Sequence, residues 1–123
     1  MTFNWVDYLN LAEILIRERA KLGYEEACQR SAISRAYYAA FMSATQKAKA
    51  EGWVTPGREQ HRAIRNHFTK TTDKDRQRIG TWLQRLADNR ESADYRDVAG
   101  DIQKVAELSL LEARKVIDTL GRL

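Results

Sequence analysis

Between Gly23 and Gly52 the chain runs for 28 residues with neither proline nor glycine. Within it Ile33, Tyr37, Phe41, Ala44 and Ala48 recur every three or four positions, the spacing of one helix face. A run of this length and period is one long helix, about Tyr24 to Glu51, and the rest of the fold has to pack around it. Its middle, residues 30–44, reads Arg-Ser-Ala-Ile-Ser-Arg-Ala-Tyr-Tyr-Ala-Ala-Phe-Met-Ser-Ala. Small residues let a neighbouring helix come close, while Tyr37, Tyr38 and Phe41 fill the gaps. Two of these rings carry hydroxyls, and Ser34 and Arg35 lie within a turn of them. That polar handle serves either the core or a site.

The flanking segments have the same period. A first helix fits Asn4 to Leu22, with Trp5, Tyr8, Leu9, Ala12, Leu15 and Ile16 facing inward and Gly23 ending it. Thr55-Pro56 supplies an N-cap and a first-turn proline for a third helix, which carries His61, Ile64 and Phe68 on one face. Thr72 and Asp75 resemble a capping box opening a fourth helix, with Ile79, Trp82, Leu83 and Leu86 inward, that runs out near Arg90. Residues 91–96 read as a turn. Asp97 then caps a last helix with the stripe Ile102, Ala106, Ser109, Ala113, Val116, Ile117 and Leu120. No segment alternates as a strand does. The expected fold is a single all-α domain over residues 1–123, an up-down bundle of four to five helices.

Composition removes several function classes. A hydrophobic fraction of 43% with one proline suits a folded helical globule. The lone Cys28 excludes an intramolecular disulfide and has no Cys or His at zinc-ligand spacing, so no metal site is expected. The opening Met-Thr-Phe-Asn-Trp-Val-Asp lacks the basic end and apolar run of a signal peptide, and no apolar run approaches the ~20 residues that cross a bilayer. A cytoplasmic chain without a membrane role is expected. The net charge of +4 is concentrated: residues 58–90 hold nine Lys/Arg against four Asp/Glu, and the remainder twelve against thirteen. A basic middle third suits a polyanion such as RNA, although an arginine-rich solvated surface has the same composition.

Nucleophile elbows and phosphate-binding glycine loops are absent. What remains is His61, His67, their neighbouring arginines, and the segment from Arg90 to Tyr95. Three stretches here are similar to motifs of HEPN domains, small prokaryotic helical bundles. Ser34-Arg-Ala-Tyr-Tyr-Ala-Ala-Phe41 resembles the family's second-helix signature. His61-Arg-Ala-Ile-Arg-Asn-His-Phe68 resembles its histidine-to-phenylalanine helix, and Leu86-Ala-Asp-Asn-Arg90-Glu-Ser-Ala-Asp94-Tyr95 the segment before its last long helix. The order is kept, and the resemblance spans roughly residues 5–120.

The resemblance implies a bundle that pairs across a two-fold axis, and an activity. Many members are metal-independent ribonucleases, and several are toxins held by a nucleotidyltransferase-like antitoxin. Their site combines an arginine and a histidine with four to six residues between them; the histidine moves the 2′-hydroxyl proton while arginine stabilises the phosphorane. Arg90 occupies the matching region in this chain, but Asp94 and Tyr95 stand where the histidine belongs. A literal Arg-x4-His runs from Arg62 to His67 on the earlier helix, a spacing that chance supplies about half the time among fourteen arginines.

The site set expected on this basis is His61 and Arg90 for catalysis, with His67 and Arg62 as alternatives. Arg35, Tyr38, Asp94 and Tyr95 would hold RNA or a nucleotide. The default structural readings beside these are His61 as a hydrogen-bonded core residue, His67 as a surface one, Arg90 with Asp94 as an ion pair, and Tyr95 as a lock on the turn. The leading function is a homodimeric protein that binds RNA or a nucleotide without a cofactor, in a toxin–antitoxin or defence setting. The alternatives are an active ribonuclease and a non-catalytic helical adaptor.

Overall fold

The structure, a computed structural model, describes residues 2–123 as five helices and no strand. They are α1 (Val6–Leu22), α2 (Glu25–Ala50), α3 (Gln60–Thr69), α4 (Lys74–Tyr95) and α5 (Ile102–Arg122). The expected apolar stripes face the core: Ile33, Tyr37, Phe41, Ala44 and Ala48 of α2 are all buried, with Ile64 and Phe68, Ile79, Leu83 and Leu86, and Ala106, Ala113, Val116 and Leu120. Among the described residues no helix is long and apolar enough to cross a membrane.

The helix ends differ from the sequence reading, and each difference has a local cause. Thr55-Pro56 starts no helix; the chain stays irregular until Glu59, whose left-handed backbone (φ 55°) precedes α3. Asp73, rather than Thr72, caps α4, its carboxylate accepting from the backbone N–H of Asp75 and Arg76. Asp101, rather than Asp97, caps α5 through the Lys104 N–H. The largest correction concerns residues 91–95, which are not a turn: α4 continues through them. Arg30 holds that last stretch in place. Its guanidinium donates to the carbonyl oxygens of Ala93 (2.9 Å), Arg96 (2.6 Å) and Asp97 (3.1 Å), taking up carbonyls that a helix end leaves unpaired.

Helix α2 is the axis of the bundle and touches all four others. Its start meets the end of α4 through Arg30, and Glu51 just past its end meets Arg76 at the start of α4, so the two helices are antiparallel. Pairs Arg85–Glu112 and Asn89–Ser109 run α5 antiparallel to α4. Only α2 and α3 break the alternation. His61 at the start of α3 contacts Tyr37 in mid-α2, while His67 near its end faces Glu51. Residues 51–59 therefore double back along α2 before α3 begins, and this return sets His61 beside the α2 aromatics.

Helices α3 and α4 meet at Gly80. A Cβ there would collide with Thr69 Cγ2 and stand 3.2 Å from both the Arg65 carbonyl oxygen and the Thr69 nitrogen. Alanine in a helix interior normally adds about 1 kcal/mol over glycine, whereas overpacking costs about 1–3 kcal/mol. Gly80→Ala is expected to destabilise by about 1 kcal/mol in urea titrations. Adding Thr69→Ser, which removes the colliding methyl, should recover most of that loss.

Candidate functional site

Tyr37 is buried at the centre of the site. Its ring lies between Phe41 and Tyr38 on α2, and its hydroxyl is hydrogen-bonded to Nδ1 of His61. The His61 ring stacks on Phe41, with centroids 4.1 Å apart and planes within 3°. Placement of the imidazole is thus fixed twice, by a hydrogen bond and by a stack, while one edge stays partly open to solvent. Its sequence neighbours on the stripe, Ile64 and Phe68, are fully buried and anchor the helix beneath it.

Two guanidiniums close the arrangement. Arg90 of α4 lies 5.3 Å from the Tyr37 ring centre and 5.7 Å from that of Tyr38, a cation–π contact with both. Its Nη1 is 3.6 Å from Asp94 Oδ2, and its Nε is buried without an acceptor. Arg65, one helical turn after His61, bears on the same two groups: its charge and that of Arg90 act on both the Tyr37 hydroxyl and the His61 ring. Arg65 has no carboxylate partner among the described residues, so the cluster of two arginines and Asp94 carries one uncompensated positive charge.

This electrostatic setting decides the protonation states. Burial pushes the Tyr37 hydroxyl up to about 12, against a smaller downward pull from Arg65 and Arg90. Burial first, then Arg90 and Arg65, hold His61 below its ordinary 6.5, so it is neutral at pH 7. The arginines are donors only, which leaves His61 Nδ1 as the acceptor for the phenolic proton. The remaining imidazole proton then sits on Nε2. At neutral pH the cluster offers two cations and a neutral N–H donor, the equipment for holding an oxyanion.

The other expected residues are placed differently. Asp94 joins the cluster through Arg90, and Ser34 Oγ donates to the same Asp94 Oδ2 at 3.3 Å. Tyr38 lies at its edge. Arg35 stands on the outer rim, 4.9 Å from the Tyr8 ring centre. Tyr95 is 74% exposed and locks nothing. Arg62 extends into solvent toward Glu59, away from the cluster. His67 is not the surface residue its position off the stripe suggested. It is half-buried against Glu51, Trp53 and Phe68 at the far end of α3, with Nε2 3.7 Å from Glu51 Oε1.

Arg65 was missed by the sequence reading. The signal existed, since His61, Arg65 and Phe68 fall at i, i+4 and i+7 on one helix face. A second recess, on the outer side of α4, is lined by Lys74, Arg78, Trp82 and Arg85. Two of its cations are already matched, Arg78 by Asp75 and Arg85 by the buried Glu112. Compared with models of protein families, with curated proteins and with solved structures, the chain matches none.

Proposed function

We propose that this chain is a HEPN-type protein that binds the phosphates of RNA or a nucleotide at the His61–Arg65–Arg90 cluster. The uncompensated charge beside a neutral N–H donor carries the reading, because an oxyanion satisfies both at once. The three motifs support the same class, and with it a homodimer and a nucleotidyltransferase-like antitoxin as partner. Light scattering and co-purification test those two associations.

The binding test is a titration of a fluorescently labelled ten-residue single-stranded RNA in EDTA. Charge-assisted hydrogen bonds contribute about 1.5–3 kcal/mol, so Arg65→Ala or Arg90→Ala should each weaken binding about 10–100-fold. Each lost phosphate contact also flattens the dependence of log affinity on log salt by about 0.7. Affinity and salt slope unchanged in both variants would exclude the cluster as the phosphate site.

A second reading, metal-independent RNA cleavage, is favoured by one observation: His61 and Arg90 both border Tyr37. In the tautomer whose Nδ1–H donates to the Tyr37 oxygen, neutral His61 would take the 2′-hydroxyl proton on Nε2 and return it to the leaving 5′-oxygen, while Arg65 and Arg90 stabilise the phosphorane. Cleavage in EDTA should then vanish in His61→Ala and persist in His67→Ala. The reverse pattern rules this reading out.

A further inference from the structure

Beside the cluster, α2 and the end of α4 enclose a cleft of about 270 Å³ lined by Arg30, Ser31, Ser34, Arg35, Ala93 and Asp94. Its chemistry differs from that of the cluster. Arg30 commits four of its five N–H donors to three carbonyl oxygens and Glu26, which leaves a single Nη2 N–H for a ligand. Asp94 Oδ2 is taken by Ser34 and Arg90, while Oδ1 accepts no hydrogen bond among the described residues. The cleft therefore presents one free carboxylate oxygen, two serine hydroxyls, one Arg30 N–H, and at its rim Arg35, which has no carboxylate partner among those residues. A carboxylate oxygen asks for a hydroxyl or amino donor, and it lies directly beside the arginine that would hold a phosphate.

In a ribonucleotide the 2′-hydroxyl sits on the carbon next to the one bearing the 3′-phosphate. A 3′-phosphate held at Arg90, whose Nη1 is 3.6 Å from Asp94 Oδ2, would set that hydroxyl close to the Asp94 carboxylate. We propose that this cleft is a ribose subsite, in which Asp94 Oδ1 accepts a hydrogen bond from the 2′-hydroxyl, Ser31 and Ser34 line the sugar, and Arg35 meets the neighbouring phosphate. The inference rests on the phosphate reading above and adds the place and the group that would tell a ribonucleotide from a deoxyribonucleotide. The 2′-hydroxyl is the group by which a protein distinguishes RNA from DNA at a given position.

The test compares three single strands with one base: ten-residue oligouridine, oligodeoxyuridine and 2′-O-methyl oligouridine. One hydrogen bond to a charged acceptor corresponds to about a tenfold preference for the first over both others. Asp94→Ala should reduce that preference to within about twofold without weakening the deoxy strand, since the carboxylate that competes with phosphate for Arg90 is gone. Ser34→Ala, which leaves the Arg90–Asp94 pair in place, should narrow the preference partway. Equal affinity for all three strands, still dependent on Arg90, overturns the ribose subsite and leaves the phosphate site standing. Binding of no strand through Arg65 or Arg90 overturns both.

Discussion

Arg30→Ala should lower the unfolding free energy by about 2–4 kcal/mol, because one guanidinium serves three backbone carbonyls at the end of α4. A hydrogen bond from a charged donor contributes about 1.5–3 kcal/mol, and partial solvent access at this edge keeps the sum below three full bonds. The helical pair with Glu26 adds only about 0.3–0.5 kcal/mol. The loss falls on Ala93, Arg96 and Asp97, whose carbonyls return to water as the last turn of α4 frays. Asp94 belongs to that turn, so the variant should also lose any preference for ribose. Arg30→Lys offers a single point donor in place of a planar fork and should recover less than half of the stability. Urea titration gives the stability, and amide exchange at residues 93–97 shows where it is lost. A change below about 0.5 kcal/mol would mean that α4 holds its end without the clasp.

Tyr37 predicts an alkaline limit. Its hydroxyl titrates near 10 in the unfolded chain and about 12 in the fold, so burial favours the protonated form. The associated stability is fully present below pH 10 and is lost as pH rises from 10 toward 12. A shift of this size corresponds to about 2–3 kcal/mol. Lysines titrate in the same range, so the diagnostic quantity is the difference between wild type and Tyr37→Phe. The variant should lack this share of the alkaline loss. At pH 7 it should be less stable by about 1–2 kcal/mol, since His61 Nδ1 loses its donor. His61 acts at the other end of the scale. Its depressed folded value means that the unfolded chain binds the proton more tightly, so stability falls as pH drops below 6.5. Urea midpoints from pH 5 to 12 check both arms. Parallel curves for wild type and Tyr37→Phe above pH 10 would refute the assignment.

The stripes on α2, α4 and α5 were legible because helical period is local: residues three and four apart share a face whatever else the chain does. Helix ends were harder. Thr55-Pro56, Thr72 and Asp97 are all sound start signals, yet Glu59, Asp73 and Asp101 occupy the actual caps. Neighbouring residues compete for the same cap, and the packing of each helix decides which one wins. The end of α4 shows this most directly. Glu91 to Tyr95 is polar enough to read as a turn, but a partner 63 residues away in sequence, Arg30, accepts it as helix.

The candidate site divides in the same way. His61, Arg90, Tyr38 and Asp94 were singled out from residue type and motif, and these four lie in or at the edge of one arrangement. Arg62, His67 and Tyr95 were equally plausible by type and lie elsewhere. By itself the sequence determined an all-helical chain, the faces that form its core, and a small set of residues capable of phosphate chemistry. Only the tertiary structure decided that α3 runs parallel to α2, which sets His61 and Arg65 against Tyr37 and Arg90. Which side chains share a site depends on the direction in which helices pack, and that direction comes from contacts between residues far apart in the chain.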